Sequence, residues 1–145
     1  MILKYKKVIF LLFFISISIF ASSLDVEREI CKKVIHGVFQ EKSDIKVWSD
    51  SQNCQEILTN TSFEFVKTPQ EADILILTHY EKILVDKPIF VRKYYLLQKY
   101  KKRAIGGFYW QKGRPNIIFV KKSLDKFAIT LPDELQKYIE DSDEY

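Results

Sequence analysis

The 145-residue sequence has few of the residues on which catalytic and metal sites depend. It contains two histidines, two cysteines, one methionine and four glycines. No Cys-x-x-Cys or His-x-x-x-His pair is present, which argues against a metal site, and nothing indicates a cofactor. The phosphate loop, the dinucleotide-binding Gly-x-Gly-x-x-Gly motif and the Gly-x-Ser-x-Gly nucleophile motif are also missing. We therefore expect a protein that is not an enzyme.

The first 23 residues have the order typical of a secretory signal peptide. Lys4, Lys6 and Lys7 precede the apolar run Val8–Phe20, and small residues follow, with cleavage expected near Ser23. The apolar run is about 13 residues long, whereas a membrane-spanning helix needs about 20. We expect a cleaved signal and a periplasmic protein, and an uncleaved membrane anchor is the alternative.

Removal of this segment changes the charge of the chain. It takes away three lysines and no acid, so the formal charge falls from +4 to +1. The apparent basicity therefore belongs largely to the signal, and nucleic acid is not an expected partner. About 120 residues remain, enough for one domain at 24–140 with an acidic tail at 141–145.

The mature chain keeps both cysteines, Cys31 and Cys54. In an oxidising compartment an even number of cysteines is expected to form disulfides. We therefore expect a Cys31–Cys54 disulfide, with two buried free thiols as the alternative. Such a bond would join the first helix to the segment after the first strand and contribute on the order of 3 kcal/mol.

Apolar periodicity and turn residues predict alternating helices and strands. The run Ile74–Leu77 has no polar break, which is typical of a central strand buried on both faces. The Gly and Pro between 104–111 and 116–120 indicate a hairpin. The predicted fold class is a single-domain α/β layered sandwich with a mixed, mainly parallel sheet, a C-terminal antiparallel hairpin and a closing helix. The remaining predicted elements are helices at 24–40 and 94–102, short strands at 45–48, 63–66, 88–91 and 127–129, and a closing helix that buries Leu131, Leu135 and Ile139.

Four residues are candidates for binding a ligand or partner: His79, Tyr109, Trp110 and Arg114. His79 follows the central strand, where ligands bind in open α/β sheets. Alternation places Tyr109 and Trp110 on opposite faces of the hairpin strand, and Arg114 lies in its turn. Their alternative roles are structural: a solvated histidine and arginine, and aromatic rings in the core. A hydrolase using His79 and Glu81 is a further alternative that lacks a nucleophile.

The second half of the chain resembles the YfiR-like periplasmic regulators. The likeness covers roughly residues 72–139 and rests on the order and spacing of short segments: Ala72-Asp73-Ile74-Leu75-Ile76-Leu77, Lys87-Pro88-Ile89-Phe90-Val91, Ile105-Gly106-Gly107-Phe108, Gly113-Arg114, Ile117-Ile118-Phe119 and Phe127-Ala128-Ile129. This chain departs from the pattern by Pro115-Asn116 after the Gly-Arg pair and by lysines soon after Phe119.

The resemblance implies a periplasmic α/β domain, often dimeric, that represses a membrane-bound diguanylate cyclase by binding its periplasmic sensor part. In that family disulfides help set the active form. Both cysteines here precede the matching region, so neither the family's redox arrangement nor its partner contacts transfer to this chain. We expect a regulatory or sensor module for an inner-membrane signalling protein, such as a diguanylate cyclase or sensor kinase. A small solute-binding protein with a pocket at the strand ends is the alternative.

Overall fold

The computed structural model describes residues 23–145. The signal peptide expected over Met1–Ser23 lies outside the described residues except for Ser23. One seven-stranded sheet organises the described chain, in the order β2-β1-β3-β4-β5-β6-β7. Neighbouring strands are parallel except for the antiparallel β5–β6 hairpin, so the predicted α/β fold class is confirmed. The strands are β1 Lys46–Ser49, β2 Glu64–Phe65, β3 Ile74–Leu77, β4 Ile89–Val91, β5 Ala104–Gln111, β6 Arg114–Val120 and β7 Ile139–Glu140.

The helices are short apart from the first. Helix α1 covers residues 23–38. It is followed by α2 Gln52–Ile57, α3 Tyr95–Lys99, α4 Lys121–Lys126 and α5 Asp133–Gln136, with a 3₁₀ turn at Pro69–Glu71. Ser51 caps α2 by accepting a hydrogen bond from the Cys54 N–H. Of the helices described, none is long and apolar enough to cross a bilayer.

Two apolar layers cover the sheet, one on each face. On the face covered by α1, which we call the α1 face, buried Val34 and Ile35 pack with Ile76 and Phe90. On the opposite face, the α3 face, Leu96 and Leu97 pack with Leu75 and Val91. Because residues 74–77 alternate between these layers, all four side chains of β3 are buried. The central position predicted for this strand is confirmed.

The hairpin forms where the sequence predicts it. Lys112 and Gly113 both have positive φ, at 50° and 73°, which matches a tight two-residue turn. Near the start of β5, Ile89 pairs with Ala104 and Phe90 with Gly106, so one residue is left out of the register. A Cβ on Gly106 would overlap the Ile118 carbonyl oxygen, which explains the need for glycine at this close approach.

Several predicted boundaries near the C-terminus are wrong. Helix α3 stops at Lys99, and Lys102 turns the chain with φ 68°. Phe127–Ile129 is not a strand, because Ala128 has φ 54° and the Ile129 N–H donates to the Leu124 carbonyl at the end of α4. Helix α4 itself was not predicted.

The closing helix is a single turn, α5. Leu131 and Leu135 are buried as expected, but Ile139 belongs to β7 and pairs with Phe119. The Phe119 N–H donates to the Tyr138 carbonyl, so β7 satisfies backbone groups along the edge of β6. The acidic tail at 141–145 ends in buried Tyr145, whose ring packs against Tyr94.

Candidate functional site

Polar side chains collect where the parallel strands end, at the carboxyl edge of the sheet. Asp50 follows β1, Thr78 and His79 follow β3, and Arg92 follows β4. Trp110 lies near the end of β5, on the same edge because β4 and β5 are parallel. Helix α1 runs into β1 and therefore brings its N-terminal half to this edge. Open α/β sheets bind ligands at this edge, so it is the candidate functional site.

Asp50 fastens the end of β1 to the end of β3. Its side chain is 1% exposed and accepts hydrogen bonds from the Thr78 N–H, the Thr78 hydroxyl and the His79 N–H, all at 2.9–3.0 Å. A buried carboxylate needs such donors, because burial without them costs several kcal/mol. The arrangement fixes the backbone from which His79 projects.

The Asp50 contacts also determine which ring nitrogen of neutral His79 carries the hydrogen. Thr78 Oγ1 lies 2.8 Å from His79 Nδ1 and 2.9 Å from Asp50 Oδ1. The hydroxyl has one hydrogen, and only Asp50 lacks a donor of its own, so Thr78 donates to Asp50. His79 Nδ1–H then donates to Thr78, which leaves Nε2 as an acceptor on an exposed ring.

Arg92 is the most connected residue of the site. Its Nη2 lies 3.3 Å from Glu27 Oε2, and the two side chains are 10% and 15% exposed. Its Nη1 lies 3.3 Å from Cys54 Sγ and 3.9 Å from Cys31 Sγ, and its Cζ lies 5.0 Å from the centre of the Phe108 ring. Glu27 also accepts a hydrogen bond of 2.6 Å from Trp110 Nε1. The ion pair therefore links the thiols inside to the indole at the surface.

The expected Cys31–Cys54 disulfide is not formed in the structure, where both residues are buried free thiols. The expectation that α1 and the segment after β1 bring them together is correct, since both sulfurs contact the same Arg92 nitrogen. Burial raises the pKa of the Cys31 thiol to about 11 although Arg92 opposes the shift, and burial also raises the pKa of Cys54. Both thiols are therefore protonated at neutral pH and are weak nucleophiles.

The four sequence-predicted binding residues do not form one site. Tyr109 and Trp110 point to opposite faces of β5, as alternation predicts, and with Tyr94 and Gln111 they line an open cavity of about 400 Å³. His79 instead joins Asp50 and Thr78. Arg114 is exposed in the hairpin opposite Gln111, and within residues 23–145 its guanidinium makes no hydrogen bond or ion pair.

The hydrolase alternative gains no geometric support. The Glu81 backbone is held by Tyr100, whose hydroxyl accepts from the Glu81 N–H and donates to the Glu81 carbonyl, both at 2.7 Å. Across the part of the chain that the structure describes, no hydrogen bond joins the Glu81 carboxylate to His79. In the same part, no three histidine, cysteine or acidic side chains are grouped so that they could hold a metal ion.

Sequence reasoning missed Asp50, Arg92 and Glu27 as parts of the site. A signal was available for the first two, because each is a charged residue within two positions of the end of a predicted strand, where a parallel sheet exposes its carboxyl edge. Glu27 has the position of an acidic residue that stabilises a helix N-terminus. No sequence pattern around it indicates that it pairs with Arg92, 65 residues away. No family model, no curated protein and no solved structure matches this chain.

Proposed function

We propose that this protein is an exported, non-enzymatic regulatory module. It binds the extracytoplasmic part of an inner-membrane signalling protein, such as a diguanylate cyclase or a sensor kinase. The resemblance to YfiR-like regulators motivates the class of partner. The observation that carries the proposal is a group of exposed apolar side chains at the carboxyl edge of the sheet.

We call this group the aromatic edge: Val26, Tyr80, Tyr94, Tyr95 and Trp110. Each is between 37% and 58% exposed. Among the large apolar side chains of residues 23–145, Leu84 is more exposed, at 83%, and lies further along the β3–β4 loop than Tyr80. Tyrosine and tryptophan are enriched in protein interfaces because they bury much area for few rotatable bonds. Their concentration at one edge therefore favours this edge as the docking surface.

Most of these rings are held in place before any partner arrives. Trp110 donates to Glu27, and the Tyr80 ring lies 5.5 Å from that of Tyr100. Lys99 Nζ lies 5.7 Å from the centre of the Tyr80 ring, so a positive charge accompanies the aromatic surface. Rings already ordered in the free protein lose less entropy on binding, which supports a protein-docking role.

Site-specific photocrosslinking in the native host tests the proposal. A photoreactive phenylalanine analogue replaces Tyr95 in the full chain, and a matched control carries it at Glu41, an exposed residue at the opposite edge of the sheet. We expect Tyr95 to crosslink to a membrane protein that carries a cyclase or kinase domain, identified by mass spectrometry, and Glu41 not to do so. Identical products from both positions, or no such membrane protein from Tyr95, would contradict it.

A solute-binding protein is the second candidate function. The cavity beside Tyr109 and Trp110 favours it, because about 400 Å³ is within the range of small-molecule sites.

A further inference from the structure

The segment between β3 and β4 holds an apolar side chain in solvent. Because β3 and β4 are parallel, residues 78–88 run back along the α3 face, where half-buried Ile83 and Val85 pack against the core. Leu84 lies between them and is 83% exposed. An alternation of this kind turns Leu84 away from the layer that its two neighbours join.

The backbone on both sides of Leu84 is fixed. The carbonyl groups before and after it both accept hydrogen bonds from Arg103, and the first of them, on Ile83, accepts from Nη1 at 2.7 Å. The Tyr100 hydroxyl holds the Glu81 backbone through both its N–H and its carbonyl. Tyr100 and Arg103 follow α3, so they fasten the loop to the end of this helix. The loop therefore presents Leu84 to solvent in a defined position.

The positive charge of the chain after Ser23 is concentrated around this loop. Residues 80–103 contain eight lysines and arginines and two acids, which gives a formal charge of +6. The other residues after Ser23 contain twelve basic and seventeen acidic side chains, which gives −5. The near-neutral total therefore conceals a separation of charge, and the loop and α3 together form the basic part of the surface.

Most of this charge is uncompensated. Both arginines of residues 80–103 bond to protein groups, but five lysines are exposed, and within residues 23–145 none of the five forms an ion pair. Asp86 is paired with Lys126 at 2.8 Å, so Glu81 is the one acid of residues 80–103 that has no ion pair in the described chain. We call the five lysines together with Leu84 the basic surface. The lysines are Lys82, Lys93, Lys99, Lys101 and Lys102.

We propose that the basic surface binds the anionic lipid surface of a bilayer. The lysine ammonium groups pair with lipid phosphates while their carbon stems lie along apolar surface, and Leu84 enters the layer beneath the headgroups. The Tyr80 ring centre is 5.7 Å from Lys99 Nζ, and tyrosine rings favour the headgroup level. An acidic protein would match the charge alone, whereas a bilayer also provides an apolar layer for Leu84. The inference is independent of the regulatory proposal, because lipid binding requires no protein partner.

A fluorophore at residue 84 tests the contact in the full chain. Leu84→Cys is labelled with the environment-sensitive dye NBD, and Cys31 and Cys54 are buried free thiols that remain unlabelled. The probes are vesicles of phosphatidylcholine with and without about 30% phosphatidylglycerol. We expect a blue shift only with the anionic vesicles, and its loss as the salt concentration is raised. The same dye at Lys33→Cys, on α1 and the other face of the sheet, should show no shift.

Two matched double variants of the protein labelled at residue 84 separate local charge from overall charge. Lys82→Gln/Lys102→Gln removes two charges of the basic surface and should weaken binding to the anionic vesicles about tenfold or more. Lys33→Gln/Lys112→Gln removes two charges elsewhere and should change it less than about twofold. Each pair contains one lysine with positive φ, Lys102 or Lys112, so the backbone change is matched. Residues 1–23 are identical in both, so binding through that segment is common to them.

Three results would overturn the inference. They are no blue shift at residue 84 with anionic vesicles, an equal loss of affinity in the two double variants, and an equal blue shift with poly-glutamate in place of lipid. The last result would identify an acidic protein as the occupant. Because the vesicles contain no protein, a failure here leaves the regulatory proposal to its own crosslinking test.

Discussion

The Arg92 guanidinium lies against the Cys54 thiol, with 3.3 Å between Nη1 and Sγ, and its other terminal nitrogen faces Glu27. A cation thus stands between a carboxylate and two protonated sulfurs, at the boundary between the core and the aromatic edge. This placement has consequences for stability, for thiol chemistry and for the response to pH.

Loss of Arg92 should destabilise the protein more than its single ion pair suggests. Arg92→Met leaves Glu27 largely buried without its counter-charge, and we expect the free energy of unfolding to fall by about 2–3 kcal/mol. Urea denaturation followed by circular dichroism measures it. The double variant Glu27→Gln/Arg92→Met should recover part of the loss, because no unpaired charge remains.

If the double variant is as unstable as the sum of the two single variants, the ion pair does not couple the two residues. Lys32→Ala is the matched control, since Lys32 pairs with Glu29 on the exposed side of α1 and its loss should cost under about 1 kcal/mol.

The sequence predicts the neighbourhood of this ion pair better than the pair itself. The four-residue repeat Ile30, Val34 and Val38 places Cys31 on the buried side of the first helix. A short helix that begins at Asp50 or Ser51 contains Cys54. Arg92 begins a run rich in lysine and therefore reads as part of a solvated basic face. Strand alternation places Arg92 on the same face as Phe90, which is buried on the α1 face. The sequence alone does not show which face α1 covers, so it does not show that Arg92 points inward.

The two thiols should resist alkylation while the protein is folded. Cys31 and Cys54 are buried, so iodoacetamide cannot reach their sulfur atoms in the folded protein. Their pKa values are also raised, so the reactive thiolate form is scarce at pH 8. We expect no added alkyl group on the folded protein and two after unfolding in urea without reductant, as read by intact mass. A mass that rises by two alkyl groups only after reduction would show that the protein carries the disulfide instead.

Alkaline pH should destabilise the protein through Cys31. Its pKa rises from 9.0 to about 11 on folding, so the folded state holds the proton more tightly than the unfolded state. The stability from this group is complete below pH 9 and is lost as the pH rises to about 11. For a shift of this size the loss is about 3 kcal/mol. Urea titrations at pH 8, 9, 10 and 11 with reductant present measure it.

Cys31→Ala identifies the source of this pH dependence. The variant is less stable at pH 8 because it leaves a small cavity, but its stability should fall less steeply between pH 9 and 11. An unchanged slope would show that other groups, such as buried tyrosines, cause the loss.

Asp50 should stabilise the fold because its carboxylate accepts hydrogen bonds from Thr78 and His79. Asp50→Ala leaves two N–H groups and one hydroxyl without their acceptor at the ends of β1 and β3, and we expect a loss of about 2–3 kcal/mol. Asp50→Asn keeps one acceptor oxygen and should lose less. Hydrogen exchange of the Thr78 and His79 amides should accelerate in the Ala variant, and unchanged exchange would contradict the role described.

Tyr145 shows why the tail could not be predicted from composition. Glu140–Tyr145 holds four acids in six residues, which indicates a solvated end. The Tyr145 ring nevertheless holds the tail on the protein, because Tyr94 provides both a ring and a hydroxyl for it to contact on the α3 face. The contact joins residues that are 51 positions apart in the sequence, and no local pattern specifies such a pairing.

Replacement of Tyr145 should therefore affect stability and not only local order. Tyr145→Ala empties a buried site and should cost about 2–4 kcal/mol, whereas Tyr145→Phe loses only the hydroxyl contacts with Tyr94 and Glu140 and should cost about 1 kcal/mol. Urea denaturation separates the two, and limited proteolysis should release the tail faster in the Ala variant alone. If both variants match the wild type, the ring does not hold the tail against Tyr94. A frayed tail predicts equal stability for all three proteins. A packed tail predicts that the wild type is the most stable, the Phe variant is intermediate and the Ala variant is the least stable.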